Sequence, residues 1–200
     1  MHSKPYHHGD LRKSLIEAGI GLINEEGISG FSLRKVAAKC GVSHAAPYSH
    51  FKDVQELLAA MGDHVTEQFT FALQSSIEGQ ENPDRAIQQL GTAYIAFFEE
   101  HPSYFPFLFY HSGITIQMEE ELEEDTYPPF AVFKNTARQL FRSKRLPLGN
   151  DTPMLMAVWS TVHGIAALIT SKSIHYPGNW REAWAFFIKS GGNEHEADRP

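Results

Sequence analysis

The stretch of residues 31–52 constrains this chain most, because it reads as two short helices joined by a tight turn. Ser32 is a favourable N-cap, and apolar residues follow it at helical spacing. Gly41 comes where a helix commonly ends on a residue with positive φ. Ser43 is expected to cap the second helix, and Pro47 costs less near a helix start than in a helix interior. The pattern predicts a helix-turn-helix, whose second helix suits a DNA major groove.

This stretch resembles the DNA-binding domain of the TetR family of bacterial transcription regulators. The resemblance depends on the turn Gly41-Val42-Ser43, on the Tyr-x-x-Phe pair Tyr48 and Phe51, and on Lys52 before the next helix, and it covers roughly residues 8 to 60. It implies an all-α fold of about nine helices, a three-helix helix-turn-helix domain followed by a helical-bundle effector-binding and dimerisation domain. The domains are expected at residues 1–53 and 54–192, with a polar tail at 193–200.

Charge is distributed unevenly along the chain. The net charge is −7, yet residues 1–52 hold seven Lys and Arg against four Asp and Glu, giving +3. The remainder holds ten basic and twenty acidic residues, giving −10. A basic N-terminal domain on an acidic body is typical of a DNA-binding protein with a separate partner domain.

The candidate DNA-binding residues are the side chains that the helix-turn-helix should leave exposed. Ser43 can offer its hydroxyl or nearby helix N-terminal amides to a phosphate. His44 can bond to a purine edge, and Ala45 or Ala46 can contact a thymine methyl. The family resemblance makes Tyr48 a phosphate contact, whereas the alternative for every residue is ordinary solvated helix surface. The full set is Arg34, Lys35, Ser43, His44, Ala45, Ala46, Tyr48, His50 and Lys52.

Residues 1–9 form a polar arm with Pro and Gly, and such arms are usually mobile. Lys4, His7 and His8 could reach a phosphate or a minor groove, and a frayed terminus is the alternative. Adjacent histidines seldom converge on one ion without further ligands, so no metal site is predicted here.

Two helices near the C-terminus are predicted to be apolar nearly all round, at residues 151–171 and 179–189. A helix of this kind must be covered on all sides, and a second copy of the chain is the expected cover. TetR-like proteins dimerise through their last two long helices, so the resemblance implies a homodimer at the same place. Trp159-x-x-x-His163-Gly164 also resembles the Trp-His-Gly signature of one TetR subgroup.

The resemblance further implies an unknown small-molecule effector bound between the central helices. A few polar groups usually orient a ligand in a mostly apolar pocket, which is one interpretation of His163. The alternatives are a core or interface histidine satisfied by one hydrogen bond, and aromatic residues that form core rather than pocket. The candidate pocket residues are Phe97, Tyr104, Phe105, Phe109, Trp159 and His163.

No motif favours an enzyme or a cofactor. The chain has no Gly-x-Ser-x-Gly elbow, no phosphate-binding Gly loop and no His-Glu-x-x-His. Cys40 stands alone, the N-terminus lacks a signal-peptide core, and no apolar run reaches about eighteen residues, which together favour the cytoplasm.

The sequence therefore predicts a transcription regulator that binds a near-palindromic double-stranded operator, with repression favoured by the family resemblance. The alternative is an all-helical small-molecule-binding protein or enzyme whose helix-turn-helix no longer binds DNA.

Overall fold

The computed structural model describes residues 8–117, 127–146, 151–171 and 174–191, and all regular structure in them is helical. The prediction of an all-α chain is confirmed for these residues. The N-terminal arm, apart from the backbone that begins α1, and the polar tail at 193–200 lie outside them. The eight α-helices are α1 (His8–Glu26), α2 (Leu33–Lys39), α3 (Val54–Ile77), α4 (Pro83–Glu100), α5 (Tyr104–Pro106), α6 (Pro128–Ser143), α7 (Thr152–Ser171) and α8 (Trp180–Gly191).

Three shorter helical turns complete the described elements. Two are 3₁₀ helices, at Ile28–Gly30 and Ala46–Ser49, and one is a π-helical turn at Phe107–His111. By its internal contacts the chain divides into an N-terminal unit, residues 1–67 and 106–113, and a C-terminal unit, residues 68–105 and 114–200. The functional boundary expected after residue 53 stays a prediction.

The N-terminal unit is built on α1, which packs against α2 and against the π-helical turn. Leu15, Ile20 and Ile23 of α1 are fully buried, because they share the apolar face of that helix. Val36 of α2 and Met61 of α3 are also fully buried in this unit. These helices form the support on which the turn between α2 and α3 is held.

The C-terminal unit is built around α4, which packs against α6, α7 and α8. Asn82 caps α4 by accepting a hydrogen bond from the Arg85 N–H at 3.1 Å, and Pro83 occupies its first turn. Gly91 lets α8 approach closely, and the buried indole of Trp184 donates from Nε1 to the Gln88 carbonyl at 3.1 Å. A central helix with apolar residues on several sides is thus covered by three neighbours.

Helix α7 is apolar nearly all round, as its sequence predicts. Of the described helices it alone is long and apolar enough to cross a membrane, a test that the core helix of a soluble protein also passes. Only 28 % of its most apolar stretch is buried within one chain. Met156 and Leu168 are 48 % and 38 % exposed, and Phe186 of α8 is 73 % exposed. These two helices therefore leave a large apolar surface uncovered in the single chain.

Candidate nucleic-acid interface and effector site

The turn after α2 has the geometry that its glycine predicts. The Ser32 side chain caps α2 by accepting a hydrogen bond from the Lys35 N–H at 3.3 Å. Gly41 has a φ of +68°, and its N–H donates to the Ala38 carbonyl at 3.1 Å. The next N–H, that of Val42, reaches back to Ala37 at 3.1 Å. This pair of bonds is a Schellman motif, which fixes the direction in which the chain leaves α2.

The element after the turn is tighter than expected, and the prediction that Ser43 caps an α-helix is wrong. A 3₁₀ helix forms instead at Ala46–Ser49, with no side-chain cap. Pro47 has no N–H to donate to the Ser43 carbonyl, which accepts from the Ala46 N–H at 3.0 Å. The Pro47 carbonyl in turn accepts from the Phe51 N–H at 2.9 Å. Removing one donor at this point favours bonds three residues apart over bonds four apart.

The nine predicted DNA-binding residues lie together in the N-terminal unit, and none of them is buried. Tyr48 is 61 % exposed. Ala46 and His50 are half-buried, and the other seven, Tyr48 among them, are exposed. Beneath this surface Pro47 and Phe51 are buried and anchor the short helix. We call these nine residues the candidate DNA surface.

The basic side chains of this surface differ in their partners. Lys35 forms an ion pair with Glu26 at 2.7 Å, at the end of α1. Its neighbour on the next turn of α2, Lys39, does the same with Glu25 at 2.6 Å. Arg34 and Lys52 form no ion pair with any residue that the structure describes. Their charges are therefore the ones most available to an outside anion.

Five of the six predicted pocket residues lie in the C-terminal unit, and Phe109 belongs to the N-terminal unit. Phe97 stacks on Phe69 at 4.9 Å between ring centroids and lies 5.9 Å from Tyr104. Phe105 lies against the ring of His163 at 4.8 Å. These rings pack against one another, all but that of His163 are buried, and their role as an effector pocket stays a prediction.

Trp159 is the centre of a second group of rings. It meets Phe130 and Phe133 edge-on, each at 5.0 Å, and Tyr94 edge-on at 5.4 Å. It also stacks beside His163 at 5.8 Å, one helical turn along α7. Edge-to-face contacts of this kind stabilise a core beyond the burial of area alone.

The polar centre of the cluster is a hydrogen bond of 2.9 Å between the Tyr94 hydroxyl and Nδ1 of His163. Burial lowers the pKa of His163 from 6.5 to about 4 and raises the pKa of Tyr94 well above 10. Near neutral pH the tyrosine is therefore protonated and the histidine neutral. A neutral hydroxyl and a neutral imidazole each carry one donor and one acceptor, so the tautomer of His163 sets which of the two donates in this bond. Sequence reasoning missed Tyr94 as the partner, because 69 residues separate the two.

Two family models match the chain. One, described as bacterial regulatory proteins of the tetR family, matches residues 15–61. The other, described as a tetracyclin repressor-like C-terminal domain, matches residues 87–190, which is more than half of the chain. The chain belongs to the TetR family of transcription regulators. TetR regulators typically bind operator DNA as dimers and respond to small-molecule effectors. The finer resemblance to the Trp-His-Gly subgroup stays a prediction.

Relatives and solved structures agree with the TetR assignment. The HTH-type transcriptional regulator CymR of Pseudomonas putida is 33 % identical over 81 residues, 40 % of either chain. The class D tetracycline repressor protein of Escherichia coli is 42 % identical over 50 residues, 25 % of this chain and 23 % of the repressor. A TetR-family regulator from Haemophilus influenzae, 17 % identical, shares the fold with a TM-score of 0.68 over 90 % of this chain and 96 % of its own.

The C-terminal unit of this TetR chain also contains an apolar groove of about 250 Å³. Its walls come from the end of α6, the start of α7 and the end of α8, and Lys144 at its edge forms an ion pair with Asp84 at 2.8 Å. The predicted pocket residues do not line this groove. No group of three or more His, Cys, Asp or Glu that could hold a metal ion occurs among the described residues.

Partial burial of His163 should make the stability of this TetR chain depend on pH. Below a pH of about 6.5 the unfolded chain protonates His163, whereas the folded chain does so only near pH 4, so stability is lost as pH falls between these values. Between about pH 7 and pH 4 the free energy of unfolding should fall in both proteins, and we expect it to fall by about 2 kcal/mol less in His163→Gln than in wild type. Urea unfolding at both pH values measures this loss. His175→Gln, at an exposed position of the same unit, is the control, and equal losses in wild type and His163→Gln would contradict the prediction.

Proposed function

We propose that this TetR-family chain is a cytoplasmic, homodimeric repressor that binds a specific operator and is released by a small-molecule effector. The DNA-binding part is supported by one observation above all. The side chains predicted to contact DNA from the helix-turn-helix sequence remain solvent-accessible together around a turn fixed by backbone hydrogen bonds. Half or more of protein–DNA hydrogen bonds go to phosphates and sugars, and such contacts need accessible donors on a rigid support.

Within the candidate DNA surface the residues take two roles in this proposal. Tyr48, Lys52, Arg34 and Ser43 hold phosphates, and they set the position of the protein on the duplex. His44, Ala45 and Ala46 lie in the turn and in the first residue of the 3₁₀ helix, and they meet base edges in the major groove. Lys35 and His50 complete the surface, and Lys35 must exchange Glu26 for a phosphate before it can contribute.

The dimer of this proposal forms through α7 and α8. Both helices leave apolar side chains uncovered in one chain, and a two-fold interface covers the same patch on each copy at once. Two copies then present two recognition elements, which suits a near-palindromic operator with half-sites about 34 Å or more apart. Unpartnered apolar surface of this extent on a TetR chain is the support for this assignment.

A charge placed in that face should weaken the dimer. We expect Leu168→Glu to raise the dimer dissociation constant at least about tenfold, because a carboxylate would be buried without a partner at the interface. Sedimentation equilibrium measures the constant, and Gln89→Glu, on an exposed position of α4, controls for the added charge. An unchanged dissociation constant for Leu168→Glu would show that dimerisation uses another surface.

The effector of this proposal binds in the C-terminal unit at the predicted pocket residues Phe97, Tyr104, Phe105, Trp159 and His163, whereas Phe109 belongs to the N-terminal unit. In the cluster around Tyr94 and His163, a ligand that bonds to His163 and replaces ring contacts would favour a rearranged packing. That rearrangement would favour a dimer whose recognition elements no longer match the operator spacing. The effector can act only through its difference in affinity for the two states.

Selection of bound fragments from the genomic DNA of the source organism tests the proposal, because this selection does not require a known operator sequence. We expect enrichment of a short set of fragments that share a near-palindromic sequence. Recovery of fragments at the frequency of random DNA would contradict the proposal and favour the helical small-molecule-binding protein instead. Addition of candidate effectors to the recovered complex then tests release.

A further inference from the structure

Arg12 is a basic residue of the N-terminal unit that lies outside the helix-turn-helix. Its guanidinium carbon lies 5.2 Å from the centroid of the Phe51 ring, over the ring face. Phe51 is 1 % exposed, and its N–H donates to the carbonyl of Pro47, the second residue of the 3₁₀ helix. Arg12 itself is exposed. The Phe51 ring therefore positions a cation just after the 3₁₀ helix at Ala46–Ser49.

The charge of Arg12 has no counter-ion among the residues that the structure describes. Lys35 and Lys39 in the same unit are each held by a glutamate of α1. The cation–π contact with Phe51 supplies no hydrogen-bond acceptor to the guanidinium N–H groups. They are free to donate outward, and an arginine never loses its charge near neutral pH.

We propose that Arg12 binds a DNA phosphate, next to the contact expected from Lys52. Phe51 directly precedes Lys52 in the chain, so the Arg12 guanidinium packs on the residue next to Lys52. A guanidinium fixed on a ring loses less rotamer entropy when it forms a bidentate bond to phosphate, and that geometry suits arginine better than lysine. The contact reads no base, so it strengthens binding to any duplex. This inference rests on the proposed DNA-binding function.

Salt dependence separates a phosphate contact from a structural role. The probes are the duplex recovered by the genomic selection and a scrambled duplex of the same length, at salt from about 0.05 to 0.2 M. Each neutralised phosphate contributes about 0.9 to the slope of log affinity against log salt, and a dimer has two Arg12 residues. We therefore expect Arg12→Gln to make the slope less steep by about 1.8 on both duplexes.

Three further variants make the result specific. Arg12→Lys keeps the charge and should keep the wild-type slope, but it should lower the affinity because lysine lacks the planar guanidinium that can donate two bonds to one phosphate. Arg85→Gln removes an equal charge from an exposed position in the C-terminal unit and should leave the slope unchanged. Arg12→Met keeps an unbranched stem over Phe51 and replaces the Gln variant if circular dichroism shows that the latter has lost helix.

The outcomes distinguish the inference from the function on which it rests. Salt-dependent binding by wild type, with the same slope in Arg12→Gln or Arg12→Met, would overturn the phosphate contact and leave the regulator intact. An affinity loss in Arg12→Gln that is confined to the operator duplex would also overturn the phosphate contact, because it would indicate that Arg12 reads a base. Absence of salt-dependent binding by the wild type would overturn both the inference and the proposed function.

Discussion

Replacement of Gly91 by alanine is expected to lower the free energy of unfolding of the C-terminal unit by about 3 kcal/mol. A Cβ atom at this position would lie 2.0 Å from Cε2 of Trp184, and 2.2 Å from its Nε1. Trp184 is fully buried, and its indole N–H is hydrogen-bonded to the Gln88 carbonyl. The ring can move aside only by losing that bond and much of its packing against α4.

Gly62→Ala is the matched control for this change. Gly62 lies within α3, and a Cβ atom there would meet no atom within 4 Å. Alanine should stabilise that helix by up to about 1 kcal/mol, since glycine is a poor helix former. Urea unfolding followed by circular dichroism and tryptophan fluorescence compares the two variants. A Gly91→Ala protein as stable as wild type would show that α8 does not pack on α4 at this distance.

The contact between Gly91 and Trp184 shows where prediction from the sequence stops. The two residues are far apart in the chain, and no local pattern pairs one glycine of an apolar helix with one tryptophan of another. The same holds for Tyr94 and His163 and for Arg12 and Phe51. Pairings of this kind depend on how helices pack, which one sequence does not reveal.

Local features were predictable for a physical reason. The Ser32 cap, the left-handed Gly41 and the all-round apolar α7 depend on residues close together in the chain, so periodicity and capping preferences predict them. The second helix of the motif was predicted to begin at a Ser43 cap, whereas the 3₁₀ helix begins at Ala46. Pro47 removes the N–H that would have bonded to the Ser43 carbonyl, and the cost was underestimated for a helix that is only one turn long.

The candidate sites were predictable to different degrees. A residue's exposure on a helix-turn-helix follows from its place in the motif, so the candidate DNA surface was predictable as a set. The sequence did not reveal which cations of this surface are already neutralised by an ion pair, because Glu26, the partner of Lys35, lies on another helix. The candidate pocket residues could be selected from the sequence as aromatic residues and one histidine, but the rings that they pack against could not, since those partners lie on other helices.

Loss of Tyr48 and Lys52 together should lower operator affinity about 100-fold at 0.1 M salt. The dimer would lose four phosphate contacts, each contributing of order 0.5 to 1.5 kcal/mol. The slope of log affinity against log salt should become less steep by about 1.8, because only the two lysines carry charge. Tyr110→Ala with Lys144→Ala, at exposed positions outside the candidate DNA surface, is the control that removes the same side chains.

The most direct test of the account is fluorescence anisotropy of the recovered operator duplex, with wild type, Tyr48→Ala/Lys52→Ala and the control variant at about 0.05 and 0.2 M salt. We predict tight, salt-sensitive binding by wild type and by the control, with the loss confined to the Tyr48→Ala/Lys52→Ala protein. A wild-type affinity that does not change with salt, or a Tyr48→Ala/Lys52→Ala protein with the affinity of wild type, would contradict a DNA contact by this surface.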